Sequence, residues 1–484
     1  MNQDERNERM YDLVCIGSGP AGERAAVLAS NRGHRVAMVE SEGLPGGAMV
    51  NTGTVASKVL RETALLCSAF RRRPIPGISQ SIDHSVSFDR FLARTTLVQL
   101  EEHDRIESDL DRSGVTVLRG RGRLDGPGQV TVESMDGELT HLSTDRVLLA
   151  VGSRPNRPEK IDFTHPALVD STGILHLERM PRSLVVIGGG VIGSEYASIF
   201  AQMGVEVTIV EPRSTVMRFL DEECRELLID QMTESGVTFN FNRNAEEING
   251  LPDGSARVQL DDGTVLHSDV VLWALGRDGN TNDLGLDTVS IEPDHRGLLK
   301  VDAQYRTDAE GVWAAGDVIG FPALASTSME QARLAIEDMF DEVPSSRISG
   351  LLPMGIYTIP AIAAVGPSEE ELLQQGRSFV RGRAPYRRNA RGRMLGDDQG
   401  MMKLLFDIDS RSLLHATIVG EDATELIHLG MMMIAEQWTI EHITSTAFNY
   451  PSLGELYKSA ATSAAERIEV ELARLEEERI RHAA

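Results

Sequence analysis

The sequence predicts an α/β protein: two Rossmann-like dinucleotide-binding domains, the second inserted in the first, followed by an α+β C-terminal lobe. Three observations predict it. A strand, glycine turn, helix and acid-tipped strand occur twice; a late strand ending in Asp317 returns the chain to its first unit; and beyond Pro344 the pattern changes to short strands and helices. A chain of 484 residues also exceeds what one hydrophobic core fills.

Tyr11 to Ile16 is an apolar run that stops at Gly17-Ser18-Gly19-Pro20-Ala21-Gly22. An alanine-rich stretch to Ser30 is helical, Gly33 ends it, and Val36 to Val39 forms the next strand, tipped by Glu40. In this order the glycines permit a tight turn and close backbone approach, the helix N-terminus faces a pyrophosphate, and the carboxylate accepts from ribose hydroxyls. Gly17, Gly19, Gly22 and Glu40 are therefore candidate cofactor ligands. A lone glycine pattern often makes only a turn; the flanking strands and Glu40 favour the nucleotide.

Leu60 to Phe70 is expected to be helical and to end at Arg71-Arg72-Arg73-Pro74, a solvated helix end. Phe88 to Ser113 is a second long amphipathic segment, followed by strands near Val115 to Leu118 and Val130 to Ser134. Arg146 to Val151 is an apolar strand, and Gly152-Ser153-Arg154-Pro155 leaves the first unit. From Ser183 the pattern repeats: strand Leu184 to Ile187, glycines Gly188, Gly190 and Gly193, helix Ser194 to Met203, and strand Val205 to Val210 leading into Glu211. Gly188 stands as far before Glu211 as Gly17 stands before Glu40, and two copies with one internal distance imply two dinucleotides.

Val270 to Leu275 closes the second unit at Gly276-Arg277, where Gly276 is a further candidate nucleotide contact. Gly311 to Asp317 is a strand with a carboxylate at its tip, placed against the polyol or phosphate region of the first cofactor, and Ser328 to Phe340 is a helix. Later strands are expected at Gly355 to Thr358, Met402 to Asp407 and Leu414 to Val419, and helices at Ala423 to Gln437 and Leu453 to Leu475. The charged run Glu476 to Arg481 continues past the last helix as a solvated end, and Met431-Met432-Met433 suits core or subunit-interface packing.

Lys plus Arg total 48 against 73 for Asp plus Glu, and the net charge of -25 argues against nucleic acid or anionic lipid as partner. The polar opening lacks the apolar core of a signal peptide, and no run approaches a membrane span. Cys15, Cys67 and Cys224 form no CxxC or CxxxxC pair, which fits a reducing cytoplasm and neither a disulfide scaffold nor a zinc site.

Gly46-Gly47, Ser57-Lys58 and Ala314-Ala315-Gly316-Asp317 carry a resemblance, over nearly the full length, to flavoprotein disulfide reductases of the glutathione reductase and lipoamide dehydrogenase type. Within them, Asn51 to Thr54, Ser57 to Glu62, Gly316 to Pro322, Ala325 to Gln331 and Phe448 to Pro451 resemble the soluble, Si-specific pyridine nucleotide transhydrogenases. The resemblance implies FAD in residues 1–155 and 279–345, NAD(H) or NADP(H) in 156–278, and a dimerisation lobe in 346–484 that makes a homodimer or higher homo-oligomer. It also implies the reaction NADPH + NAD+ = NADP+ + NADH, with Gly47, Thr54, Lys58 and Asp317 at the flavin.

In that frame the two redox cysteines fall at Met49 and Thr54, neither of which exchanges thiols. The His that precedes Pro in the related enzymes is Tyr450 here, while the partner carboxylate is kept as Glu455. Ala56 and Ala361 also depart from the usual Pro and Glu. Loss of both thiols together with their proton shuttle leaves hydride passage between nicotinamides through flavin, in a ping-pong order. Lys58 and Glu195 resemble the ion pair beside the flavin and are the candidate catalytic residues. Glu211 favours a free 2'-hydroxyl and hence NAD(H), whereas Arg213 and Arg218 lie where a 2'-phosphate would reach them. The competing readings are an NAD(P)H diaphorase or quinone reductase, and a low-turnover flavoprotein that senses NADH.

Overall fold

The computed structural model describes residues 9–78, 82, 86–340 and 351–483, with backbone alone for residues 9, 469 and 471–483. Pro344 and the expected boundary at 345/346 lie outside the described residues.

Leu13–Ile16 is wholly buried and lies at the centre of a five-stranded parallel sheet, between Val147–Leu149 and Val36–Glu40. Thr116–Arg119 forms one edge and Val312–Ala314 the other, so the last strand to join returns from the far side of the second unit. Parallel strands covered on both faces need near-continuous apolar runs, and Leu13–Ile16, Val36–Glu40 and Val147–Leu149 supply them, each buried throughout. Helix Pro20–Asn31 packs on this sheet beside helix Ala325–Met339 through Ala21, Ala25, Ala26, Ala332 and Ala335.

The second unit repeats the arrangement. Ser183–Ile187 is central, flanked by Val270–Trp273 and Glu206–Glu211, with Val237–Phe241 and Leu168–Val169 at the edges, all parallel. Each unit also carries an antiparallel appendage, Arg121–Gly126, Gln129–Glu133 and Leu139–Thr144 in the first and Ala245–Gly250, Ala256–Leu260 and Val265–Ser268 in the second. The chain enters and leaves the second unit through a two-stranded antiparallel ribbon, Ser153–Pro155 with Arg277–Gly279.

The C-terminal lobe is a five-stranded antiparallel sheet in the order Met354–Ile356, Ile362–Val365, Leu413–Val419, Met401–Asp407, Phe379–Pro385. Helices Ala423–Ala435 and Glu455–Ala483 accompany it. Met433 is buried in that packing and Met432 is exposed. Lys403, buried in the sheet, binds Asp221 at 2.7 Å and Glu369 at 2.9 Å, which ties the lobe to the second unit.

Three expectations are corrected. The stretch from Gly47 is helical, as Gly47–Asn51 and then Thr54–Arg72, so the long helix starts before Leu60 and takes in Lys58. The last helix continues to Ala483 and takes in the charged run expected beyond it. Arg71, Arg72 and Arg73 are not merely solvated. Arg71 donates to the carbonyls of Ala201 (3.4 Å) and Gln202 (2.5 Å) at the end of helix Val191–Gln202, and Arg72 and Arg73 pair with Glu421. Carbonyls at a helix C-terminus have no partner within the helix and carry negative partial charge, which gives a neighbouring guanidinium a reason to order. Among the described residues no helix is long and apolar enough to cross a membrane.

Candidate active site

The two glycine turns share one pattern of backbone-to-carboxylate hydrogen bonds. Glu40 accepts from the backbone N–H of Ser18 at 3.0 Å, and Glu211 accepts from that of Gly189 at 2.7 Å, each 22 residues apart. The other oxygen of Glu40 accepts from Glu42 N–H at 2.7 Å, and that of Glu211 from Arg213 N–H at 3.0 Å. Each acid is thereby fixed at the tip of its strand.

Individual glycines are required for different reasons. A Cβ on Gly22 would lie 1.8 Å from the carbonyl oxygen of Gly17, and one on Gly193 would lie 1.9 Å from that of Gly188, so both allow helix to meet strand. Gly17 and Gly188 have φ of +104° and +109°, which the turn demands. Gly19 and Gly190 need neither: their φ values are −65° and −73°, the space beside Gly190 is open, and a Cβ on Gly19 would make only ordinary contact at 3.9 Å. Among the described residues nothing excludes a side chain there, but a pyrophosphate seated on the helix N-terminus would. The residues therefore fit a dinucleotide at each turn.

The cysteine-free stretch joins the first turn. Ser18 Oγ, which hydrogen-bonds Glu40, also accepts from Gly46 N–H at 3.1 Å, and Gly47 comes so near Gly19 that a Cβ would stand 2.8 Å from its Cα. Met49 is half-buried against the first core and Thr54 is exposed. Helix Asp89–Arg112 secures the turn from behind. Gln99 donates to the carbonyls of Val50 (2.8 Å) and Asn51 (3.1 Å), and His103 Nε2 meets Asn51 Oδ1 at 2.7 Å.

Lys58 projects from the long helix to Glu195, on the helix after the second turn, at 2.7 Å. The other oxygen of Glu195 accepts from Tyr357 N–H of the C-terminal lobe at 2.9 Å. All three parts of the chain thus converge on one carboxylate.

Asp317 opens a single helical turn after strand Val312–Ala314. It accepts from Ser153 Oγ at 2.8 Å, and Arg277 donates to that hydroxyl at 2.9 Å and to the Ser153 carbonyl at 2.7 Å. Burial pulls the Arg277 guanidinium below its ordinary pKa, against the opposing pull of Asp317 and Asp170. The Asp therefore stands beside the ribbon linking the two units. Gly276, at φ +94°, immediately precedes that ribbon's second strand. Arg213 and Arg218 are exposed on the loop after Glu211, and buried Val216 stands over Gly189. Tyr450 is exposed, and Glu455, the first residue of the last helix, meets Asn389 Nδ2 at 3.4 Å.

No thiol is placed to stand in for the missing pair. Cys15 and Cys224 are buried, and burial drives both thiols far above their ordinary pKa. Cys67 is also raised by burial and lies on the helix that starts at Thr54, about 20 Å farther along its axis at 1.5 Å per residue. Protonated thiols are poor nucleophiles. Sequence reasoning missed Gln99, Ser153, Arg277 and Tyr357; only the strand-then-glycine ends at 153 and 277 signalled two of them.

The family model described as pyridine nucleotide-disulphide oxidoreductase matches residues 11–335, and that family's dimerisation domain matches 352–461. A protein of Mycobacterium bovis named soluble pyridine nucleotide transhydrogenase is 40% identical over 456 residues, 94% of this chain and 97% of its own. Proteins of the same name from Sodalis glossinidius and Chromohalobacter salexigens are 36% and 37% identical, each over 95% of this chain and covered over 98% and 99% of their own lengths. The crystal structure of LpdA from Mycobacterium tuberculosis superposes with a TM-score of 0.86 at 27% identity, over 94% of this chain and 99% of that one. With both nucleotide turns, the C-terminal lobe and these full-length relatives in agreement, the chain belongs to the pyridine nucleotide-disulphide oxidoreductase family.

Proposed function

We propose that the chain catalyses NADPH + NAD+ = NADP+ + NADH in a ping-pong order, with FAD at the first glycine turn and no redox-active disulfide. The observation that carries this reading is the stretch from Met49 to Thr54, which follows Gly46 and Gly47 at the first nucleotide turn and is held from behind by Gln99, but carries no thiol. Bound FAD supplies a two-electron carrier between one nicotinamide and the next.

The chain's own residues bind and orient. Gly17, Gly19, Gly22, Glu40, Gly47, Thr54 and Asp317 would hold FAD, and Gly188, Gly190, Gly193, Glu211 and Gly276 would hold the nicotinamide nucleotide. Lys58, kept in place by Glu195 at 2.7 Å, would offer a cation to the redox ring of a bound flavin, where preorganised charge is most effective. Hydride passage asks no thiol acid of the chain, in keeping with Tyr450 in place of His. Glu211 takes the ribose of NAD(H), and Arg213 and Arg218 meet the 2'-phosphate of NADP(H), so NAD(H) binds more tightly while NADP(H) remains usable. The lobe pairs two copies into a homodimer, and the cytoplasm is its compartment.

The test is anaerobic stopped flow on enzyme whose accessible thiols have been alkylated. NADPH is expected to bleach the flavin and added NAD+ to restore its colour in a single turnover. Flavin that NAD+ fails to reoxidise, but a quinone does, overturns the proposal in favour of a diaphorase; flavin that neither reoxidises points to the sensor.

A further inference from the structure

We propose that Tyr357, contributed by the C-terminal lobe, is a positioning residue for the Lys58 ammonium. The inference rests on the reading that Lys58 acts on the flavin. The Tyr357 ring centroid lies 5.1 Å from Lys58 Nζ and 5.9 Å from the guanidinium carbon of Arg61, so two cations one helical turn apart share one aromatic ring. An ammonium within about 6 Å of a ring centroid is attracted by the ring's quadrupole, more strongly where water is excluded.

The ring is held there by its backbone. Tyr357 N–H donates to Glu195 Oε1 at 2.9 Å, the Thr358 carbonyl accepts from Arg61 Nε at 3.2 Å, and Ile359 N–H donates to Ser198 Oγ at 3.0 Å. Three successive residues of the lobe are thus stitched to the long helix and to the helix after the second turn. Glu195 closes the circuit by holding Lys58 with one oxygen and the tyrosine's backbone with the other.

Lys58 has three N–H donors. Glu195 takes one at 2.7 Å and Ser57 Oγ stands at 3.4 Å, too few strong partners to fix a flexible side chain that keeps 26% of its surface exposed. The aromatic face supplies the missing restraint and keeps water from that flank, so the field of the ammonium is less screened. Removing the ring lets water and motion in without breaking the ion pair.

The test compares holoenzyme with Y357F, which keeps the face, and Y357L, which does not; Y357M serves where Y357L loses FAD. Two quantities are measured: the rate at which Lys58 is modified by an amine-directed acylating reagent, read by peptide mass spectrometry, and the flavin midpoint potential. For Y357L the modification is expected to speed several-fold, and the reduction equilibrium to fall about tenfold, or about 30 mV for a two-electron couple. Y357F should stay within about twofold on both. An unmoved Y357L overturns the proposal, as does a Y357F that falls with it, since the hydroxyl would then be the active part. K58M separates the premises: if its potential is unchanged, the Lys58 reading fails; if it shifts while Y357L does not, only the role of Tyr357 fails.

Discussion

Replacing Lys403 with Met tests how the lobe is fastened to the second nucleotide unit. Lys403 Nζ lies 2.7 Å from Asp221, 2.9 Å from Glu369 and 3.4 Å from Glu223. Glu223 keeps Arg383 and Glu369 keeps Arg381, both exposed enough to share solvent, so the substitution orphans one charge, the buried Asp221. Breaking a buried pair from one side costs about 3–5 kcal/mol. Asp221 retains its bond from Cys224 N–H, which places the expected loss near about 3 kcal/mol. At roughly 2–4 °C per kcal/mol for a unit of this size, the first thermal transition should fall by about 6–12 °C.

The second substitution D221N, made on K403M, removes the orphan charge and should recover roughly half of the loss, as coupled sites do. Burial opposes the Lys403 charge, but Asp221 and Glu369 outweigh it and raise its pKa. Its contribution is therefore complete below the ordinary lysine value, about 10.4, and is lost as pH rises through the raised one. Burial likewise opposes the charges of Glu223 and Glu369, yet Arg383, Arg381 and Lys403 lower both. Their contribution is present above about 4.3 and is lost as pH falls through the lowered values. The gap between wild type and K403M should be flat near neutrality and narrow in acid. A scanning-calorimetry transition for K403M within about 2 °C of wild type at pH 7 would refute the reasoning, being less than about 1 kcal/mol.

Gly190→Ala should leave the thermal transition nearly unmoved while raising the KM for NADH about tenfold, roughly 1.4 kcal/mol, because only the ligand occupies that space. Gly193→Ala, whose Cβ meets a carbonyl, should instead impair folding; equal thermal losses for the two would remove the close-approach argument. R218A should weaken NADPH in flavin-reduction titrations and spare NADH, and tighter NADPH than NADH binding in the wild type would reverse the assigned preference. Gln99→Ala removes both carbonyl anchors of the Met49–Thr54 turn and should cost about 1–2 kcal/mol in stability with slower flavin reduction; wild-type reduction kinetics would show that the anchors are idle.

The glycine turns could be recognised from the sequence because their cause is local. A strand, a φ that only glycine adopts readily, a helix start and an acid at the next strand tip lie within one short interval, and the second copy repeats it. The two long helices of the C-terminal lobe, Ala423–Ala435 and Glu455–Ala483, follow from the same kind of short-range pattern, whereas the short ones Glu369–Gln374, Ala390–Leu395 and Ile440–Ser445 do not. The antiparallel appendages were seen only in part, since Arg121–Gly126, Leu139–Thr144 and the strands from Ala245 to Ser268 are mixed in polarity and take their form from cross-strand partners.

The charged ends misled for a related reason: an arginine run looks solvated until a neighbouring helix presents unpaired carbonyls, as Ala201 and Gln202 do to Arg71. The sequence by itself determined two glycine turns, their acids, and a cysteine-free stretch from Gly46 to Lys58. Tertiary structure decided what surrounds that stretch. Lys58 and Glu195 are 137 residues apart, Glu195 and Tyr357 are 162 apart, and Ser153 and Asp317 are 164 apart. Bonds of that span are set by how separately folded layers pack, and no local spacing encodes them.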